Sequence, residues 1–580
     1  MASGDKQTGL LEDTPPSDDL EAQIENKPVT LGSACLKATP MSINNLLFTA
    51  NMVIGGMVIS DLPDADEYSV AAGGVINTTQ TWVYVTLQVT LFCMMILISG
   101  EKAAIDEINK TEKKRALTEE EASVKANAIQ EISKVAKAGK VLALLLSIPG
   151  SAAMYFAGDL LGLLGQKPEI IAEVTPYFHI MTAAFPIMMY VETNKQIAFG
   201  LGRSWLHNAM GVLNLLTIGL GYCFMTGALF SIKMEIPGLA LGYLLSHVVN
   251  GLVFDQWYKR NPAYNQYNFS VVNLFSPTQT CRNISESWST VKLLWSIGWP
   301  ILINLFSELF AVYMTNVFAG WLLNPGQAES MNEVVTQFSF LFIIIQVGLT
   351  NAATPIASYL FNRNETERAK IRRMGHLIMG IGFSIAALVL VASLVFNKLF
   401  ASGYIKEGAD GYDSMMHQLK AILPTMMGIQ IADAIRNISI GMLRGINDTR
   451  YPMYVSVVTQ MGISMIGCAL GTFVLGKNLE GITVGYGAGI LVGTAIVYKR
   501  FLAQTTPEQL ENLRQQSQLD IEATNQPVAE VESQPNGIMT RLTNCLGFFK
   551  ICSNNDENQE AAELDDQAQY ERMESGTVRV

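Results

Sequence analysis

Two carboxylates stand where a bilayer would penalise them. Glu308 lies in an apolar stretch, eight residues after Pro300 and one turn from Asn304, so Asn304 and Glu308 share a helix face. Asp433 lies in another such stretch, followed on the same side by Arg436 at three residues and Asn437 at four. A charge at mid-membrane costs roughly 2.5–3.5 kcal/mol or more, so its default reading is a place on an ion or substrate path. Glu308 has no base within one turn of it, and a lone buried carboxylate would exchange protons near neutral pH or hold a cation such as Na⁺. Asp433 with Arg436 reads equally as a neutralising pair. Glu192 and Lys195 repeat that spacing near a span end, where packing explains the pair and Lys195 could snorkel to the surface. Further amides (Asn44, Gln80, Gln88, Asn214, Gln337, Gln346 and Asn351) would line a wet cavity or join helices by hydrogen bonds. No nucleotide loop, metal-ligand spacing or nucleophile constellation emerges. The expectation is therefore no enzyme, no cofactor beyond a coupling ion, and no nucleotide-driven pump.

The elements that must carry these groups are long apolar helices. Hydrophobic residues make up 49% of the 580 and charged ones only 16%, against about 25% charged in a soluble domain. Runs of twenty or so apolar residues recur, long enough to span the hydrocarbon core. Twelve are expected: 41–60, 75–99, 138–157, 172–198, 207–230, 236–257, 293–320, 333–358, 373–396, 416–441, 452–475 and 481–500. The predicted class is an all-α integral membrane protein of twelve helices in two six-helix, pseudo-symmetric halves. A soluble enzyme is excluded, and a nucleic-acid binder too, because binding phosphates needs a concentrated basic surface.

Loop charge predicts the orientation. Most loop Lys and Arg follow helices two, four, six, eight, ten and twelve, which places those loops and both termini in the cytoplasm. The net charge of −12 belongs to the tails, where residues 1–38 carry seven acids against three bases and 501–580 fourteen against five. The sequence divides into five expected segments. An acidic, disordered segment (1–38) precedes the first half (39–257), whose 101–140 insert forms a charged cytoplasmic helix. A linker (258–292) joins it to the second half (293–500). An acidic, mostly disordered tail (501–580) then holds a short amphipathic helix at 538–552. No external loop holds a cysteine, so structural disulfides are not expected. The glycines at 481, 485, 489 and 493 form a ridge that close helix packing explains.

Weak correspondences link the halves. Pro40 and Asn44 match Pro300 and Asn304, Thr79-Gln80 matches Thr336-Gln337, and Gln88-Val89 matches Gln346-Val347, in order and at offsets of 257–260. Parallel six-helix repeats belong to secondary transporters, with the substrate path between the halves.

The stretch 431–452, IADAIRNISIGMLRGINDTRYP, resembles the tenth-helix motif of the multidrug and toxic compound extrusion (MATE) family. GWPILINLFSE at 298–308 resembles its seventh-helix pattern of Pro with Glu eight residues on; 346–370 and 163–186 add support. The resemblance covers about 40–500. It implies export of cationic or amphipathic small molecules in exchange for Na⁺ or H⁺, with Glu308 and Asp433 as the coupling carboxylates and the sites for any Na⁺. Arg436, Asn437, Asn304, Gln337, Gln346, Asn44, Gln80 and Asn214 would line the cavity. The family often has an acid midway along helix one; here Gly55 and Gly56 stand near that place, and Ile218 replaces a second helix-five Asn. Both departures shift the weight to Glu308 and Asp433. The expected setting is a plasma or inner membrane, as a monomer, with the acidic tails free for a partner protein. Two other readings compete: a lipid-linked saccharide flippase, which needs a more cationic cavity, and a membrane-anchored interaction protein acting through its tails. Deletion of 505–580 would leave a transporter active and silence an anchor.

Overall fold

The computed structural model describes residues 39, 42–43, 67–163, 166–228, 234–261, 264, 266–267, 269, 277–320, 325–395, 412–474 and 478–525. All regular structure among them is helical. The first half contains α1 (Glu67–Gln88), a 3₁₀ turn at Val89–Leu91, α2 (Phe92–Glu112), α3 (Glu119–Tyr155), α4 (Ala157–Leu163), α5 (Pro168–Gly200), α6 (Ser204–Thr226) and α7 (Glu235–Arg260). The second half contains α8 (Pro277–Gly320), α9 (Pro325–Phe361), α10 (Glu365–Arg368), α11 (Ile371–Val395) and α12 (Tyr412–Gly445). It continues with α13 (Arg450–Ser456), which runs through π-helical turns at Val457–Ser464 and Leu470–Val474 around α14 (Met465–Ala469), and ends with α15 (Asn478–Gln504) and α16 (Pro507–Asn525).

Eight of the described helices are long and apolar enough to cross a membrane. α6, α9 and α12 coincide with three more expected spans, at 207–230, 333–358 and 416–441. The first expected span, 41–60, lies almost wholly outside the described residues, as do 1–38 and 538–552.

Two compact units divide the chain: Met1–Ser270 with Ser289–Arg514, and Val271–Trp288 with Gln515–Val580. In the second, Pro277–Trp288 and Gln515–Asn525 are helical. The first holds both bundles of helices and two apolar cores. One core joins the halves, packing Val89, Phe92, Met95, Ile96 and Phe199 with Ala352, Ala353, Ala357, Leu360 and Met442. It lies at the end where α7 closes on Lys259 and Arg260 and α12 on Arg444. The other core, from Ala311 to Ile490, belongs to the second half and lies toward the base-poor ends.

Across the seam, Ser358 Oγ donates to the Ile96 carbonyl at 2.6 Å and Tyr359 OH to Asp106 at 3.2 Å. Gly298 rides directly on Thr90, where an added Cβ would lie 2.5 Å from the carbonyl oxygen. Within the second half, the glycine ridge of α15 does what its spacing predicts: a Cβ on Gly485 would fall 2.2 Å from the backbone of Gly467 and Cys468. Backbone-to-backbone approach of that kind is open only to glycine.

Two expectations need correction. The tail is helical at its start: α16 runs to Asn525, seating Leu510 at 1% exposure, with Glu511 2.6 Å from Arg368. Its polar sequence hides it, because the helix is held by only two leucines one turn apart, Leu510 and Leu513, and one ion pair. Lys195 does not snorkel either. It stays 3.4 Å from Glu192, both side chains 7% exposed.

The 101–140 insert is two helices. α2 and α3 extend past the apolar stretch and meet at a turn closed by Thr118, whose hydroxyl accepts from Glu121 N while Glu121 accepts from Thr118 N. Arg115 completes the clasp, its Nη2 2.7 Å from Glu121. The Arg115 hydrogen bond first, then the Thr118 N–H, hold the Glu121 carboxyl down at about 2 from an ordinary 4.5. A depressed carboxylate stabilises above its unfolded value and loses that contribution as pH falls through the folded one. The turn should therefore be fully clasped above pH 4.5 and open progressively toward pH 2. Hydrogen exchange at residues 117–122, corrected for intrinsic rates, checks this; Glu121→Gln should remove the pH dependence.

Candidate functional site

The second half brings the two carboxylates together around one guanidinium. Asp433 and Arg436 sit one turn apart on α12, and Arg436 Nε and Nη2 reach the same Asp433 oxygen at 2.8 and 2.7 Å. Glu308 approaches from α8, its Oε1 3.1 Å from Arg436 Nη1. That nitrogen makes no hydrogen bond, so Glu308 is held by charge and proximity alone. Side-chain exposure separates the acids: 5% for Asp433 and 19% for Glu308. Glu308 is the looser and more accessible partner. It is not the lone carboxylate expected from its own helix, because its base comes from 128 residues further along the chain.

Amides extend the cluster. Asn437 Nδ2 donates to Asp433 Oδ2 at 3.0 Å and lies 3.4 Å from Gln346 Oε1. Gln346 on α9 donates to the Gln430 carbonyl at 2.8 Å. Asn304, one turn before Glu308 on α8, accepts from Arg444 and donates to Ser456. Pro300 within α8 lacks an N–H, which frees the Ser296 carbonyl from the helix ladder. Opposite, the π-helical turns begin right after Ser456, widening the helix beside the buried Thr459 and Gln460. Both side-chain atoms of Gln430, and both of Gln460, are buried without a hydrogen-bond partner among the described residues. Such groups are ordinarily satisfied by water or ligand.

Of the predicted site residues, Glu308, Asp433, Asn304, Gln346, Arg436 and Asn437 thus converge. Gln80 does not; it accepts from Tyr177 inside the first half. Asn44 and the side chains of Asn214 and Gln337 lie outside the described residues. Sequence reasoning missed Arg444, Ser456, Gln430 and Gln460. Arg444 had a signal, since it follows Arg436 by about two turns, but it fell beyond the end of the apolar run. The others carry no charge and so no penalty that sequence alone reveals.

The turn after α12 explains the rest of its motif. Asn447 takes a left-handed conformation (φ 66°), which Asn tolerates better than most residues, and Asp448 N closes on the Leu443 carbonyl at 3.0 Å. Asp448 then pairs with Arg500 of α15 at 2.8 Å. This part of the motif is architectural.

The first half repeats the plan. Glu192, Lys195 and Gln196 on α5 stand in the register of Asp433, Arg436 and Asn437, with Gly200 and Arg203 matching Gly441 and Arg444 at the same offset of 241. Gln196 Nε2 donates to Glu192 at 2.7 Å, as Asn437 does to Asp433. The third partner differs. Tyr84 OH donates to Glu192 at 3.2 Å where the second half supplies a second carboxylate.

The chain is also similar to known proteins. The MatE family model matches residues 124–225 and 300–470, parts of both halves including α12 and its cluster. The chain belongs to the MATE family. Its similarity to individual members is low but long. A probable multidrug resistance protein NorM of Brucella suis is 22% identical over 388 residues, 66% of this chain and 79% of that one. Multidrug resistance protein MdtK of Edwardsiella ictaluri is 24% identical over 318 residues, 54% of this chain and 65% of that one. The crystal structure of the eukaryotic MATE transporter AtDTX14 superposes with a TM-score of 0.69 at 15% identity, covering 86% of this chain and 99% of that one. An outward-facing multidrug resistance MATE transporter superposes at 0.63 with 18% identity, over 82% and 96%. The MATE fold, twelve helices in two halves, is therefore that of this multi-pass membrane protein, a member of a family of transporters rather than enzymes.

Proposed function

We propose that this MATE protein exports cationic or amphipathic small molecules by exchange for Na⁺ or H⁺, with Glu308 and Asp433 as the coupling groups. The observation that carries the reading is the pairing of one guanidinium with two carboxylates of unequal hold, Asp433 buried and Glu308 half-buried. Asp433 keeps Arg436 through two short contacts, whereas Glu308 has one contact without a hydrogen bond. A cation or proton arriving at Glu308 replaces that weak contact and leaves the strong one intact. The ion then biases the transporter only if it binds one orientation more tightly than the other. The apolar core shared by the halves at the basic end fits a state closed toward the cytoplasm, with the loops rich in Lys and Arg and both termini on that side. The names of the NorM and MdtK relatives support multidrug efflux.

The test is efflux of a fluorescent organic cation from proteoliposomes under an imposed Na⁺ or H⁺ gradient. Dye movement driven by one of the two gradients is expected. No movement under either would overturn the reading.

A further inference from the structure

A cavity of about 20 Å³, room for one water molecule or one small ion, lies within the second half. Its walls include Thr315 of α8, Asn332 and Ser339 of α9, Met426 of α12, and Thr483 and Tyr486 of α15. Its position follows from helix geometry. Thr315 is seven residues from Glu308, Ser339 seven from Gln346, and Met426 seven from Asp433. Tyr486 is seven from Gly493, where an added Cβ would meet Arg436 Cδ at 3.4 Å. Seven residues are nearly two turns, on the same face and about 10.5 Å along the axis. On all four helices the offset runs toward the base-poor ends, so the cavity is stacked above the charged cluster.

Its hydroxyls are set as acceptors. Thr315 Oγ1 donates to the Val312 carbonyl at 2.7 Å, Ser339 Oγ to Val335 at 2.8 Å and Thr483 Oγ1 to Leu479 at 3.1 Å. Each spends its one proton on its own helix and keeps its lone pairs. The Tyr486 hydroxyl has no hydrogen-bond partner among the described residues. Neutral oxygens between apolar walls suit a hard monovalent cation, and a site without a carboxylate holds it weakly enough to pass it on.

We propose that this cavity is a waiting site for one Na⁺ ion between the base-poor face and Glu308. The inference rests on the ion-coupled reading above and names the ion and its station.

The test uses the purified full-length protein. Thr315→Val/Thr483→Val keeps the side-chain shape and removes two acceptors. In proteoliposomes it should raise the half-saturating Na⁺ concentration for efflux about fivefold, as for one lost hydrogen-bond-sized contact, with the rate at saturating Na⁺ little changed. Ser339→Ala, a smaller change, should shift it in the same direction. Direct binding of ²²Na⁺ separates this site from the carboxylates. Glu308→Gln should retain a weak ²²Na⁺ signal, and adding Thr315→Val/Thr483→Val should abolish it. An unchanged half-saturation, or a ²²Na⁺ signal indifferent to the cavity substitutions, would mean that the cavity holds only water and would overturn the proposal. Absence of gradient-driven efflux by the wild type would instead defeat the coupling reading, which the binding experiment does not need.

Discussion

Glu308→Gln brings gradient-driven efflux down to the level of protein-free liposomes while leaving the protein folded. The substitution keeps shape and hydrogen-bonding capacity but removes the charge that a cation or proton would meet. Arg436 retains Asp433 at 2.7 Å, while the buried Arg444 keeps its hydrogen bond to Asn304 but loses the nearby Glu308 charge, so thermal stability should fall modestly without loss of the fold. The comparison to make is initial efflux rate against unfolding temperature, both on purified protein. Normal efflux by this variant would remove Glu308 from the mechanism.

The opposite pattern is expected of Arg436→Met. The guanidinium is 3% exposed, and its removal leaves two carboxylates facing one another in a low dielectric. Breaking a buried pair in this way costs about 3–5 kcal/mol, enough to lower the unfolding temperature markedly as well as to stop efflux. Most of the stability should return, but not transport, in the triple variant Glu308→Gln/Asp433→Asn/Arg436→Met, where only Arg444, hydrogen-bonded to Asn304, remains charged. Arg436→Lys should recover only part of the stability, because an ammonium cannot hold Asp433 and Glu308 in one planar fork. Undiminished stability of Arg436→Met would show that the carboxylates are not bound together as described.

Much of this was legible in the chain because a bilayer punishes exceptions. Polar groups stand out against apolar runs, and Glu308, Asp433 and Arg436 could be picked out on one-turn spacing alone. What spacing cannot supply is a partner on another helix. Glu308 is solitary on its own helix because Arg436 belongs to α12, and the hydroxyl of Ser456 has meaning only against Asn304. Lys195 was misjudged for a related reason. Snorkelling assumes lipid beside the residue, whereas α5 is covered by its neighbours and Tyr84 joins Lys195 at Glu192. α16 escapes because its docked leucines, Leu510 and Leu513, form a stripe only one turn long in an otherwise polar sequence.

The join between the two bundles has a mechanical consequence. Where they touch at the basic end, bulk on one side meets a small face on the other: Phe92, Met95 and Phe199 lie with Ala352, Ala353 and Ala357, Gly298 rests on a Thr90 oxygen, and Ser358 reaches a main-chain oxygen of Ile96. Rings and thioethers laid against an alanine-rich wall interlock less deeply than two facing rows of long side chains would, so parting the bundles wets apolar area with little unthreading.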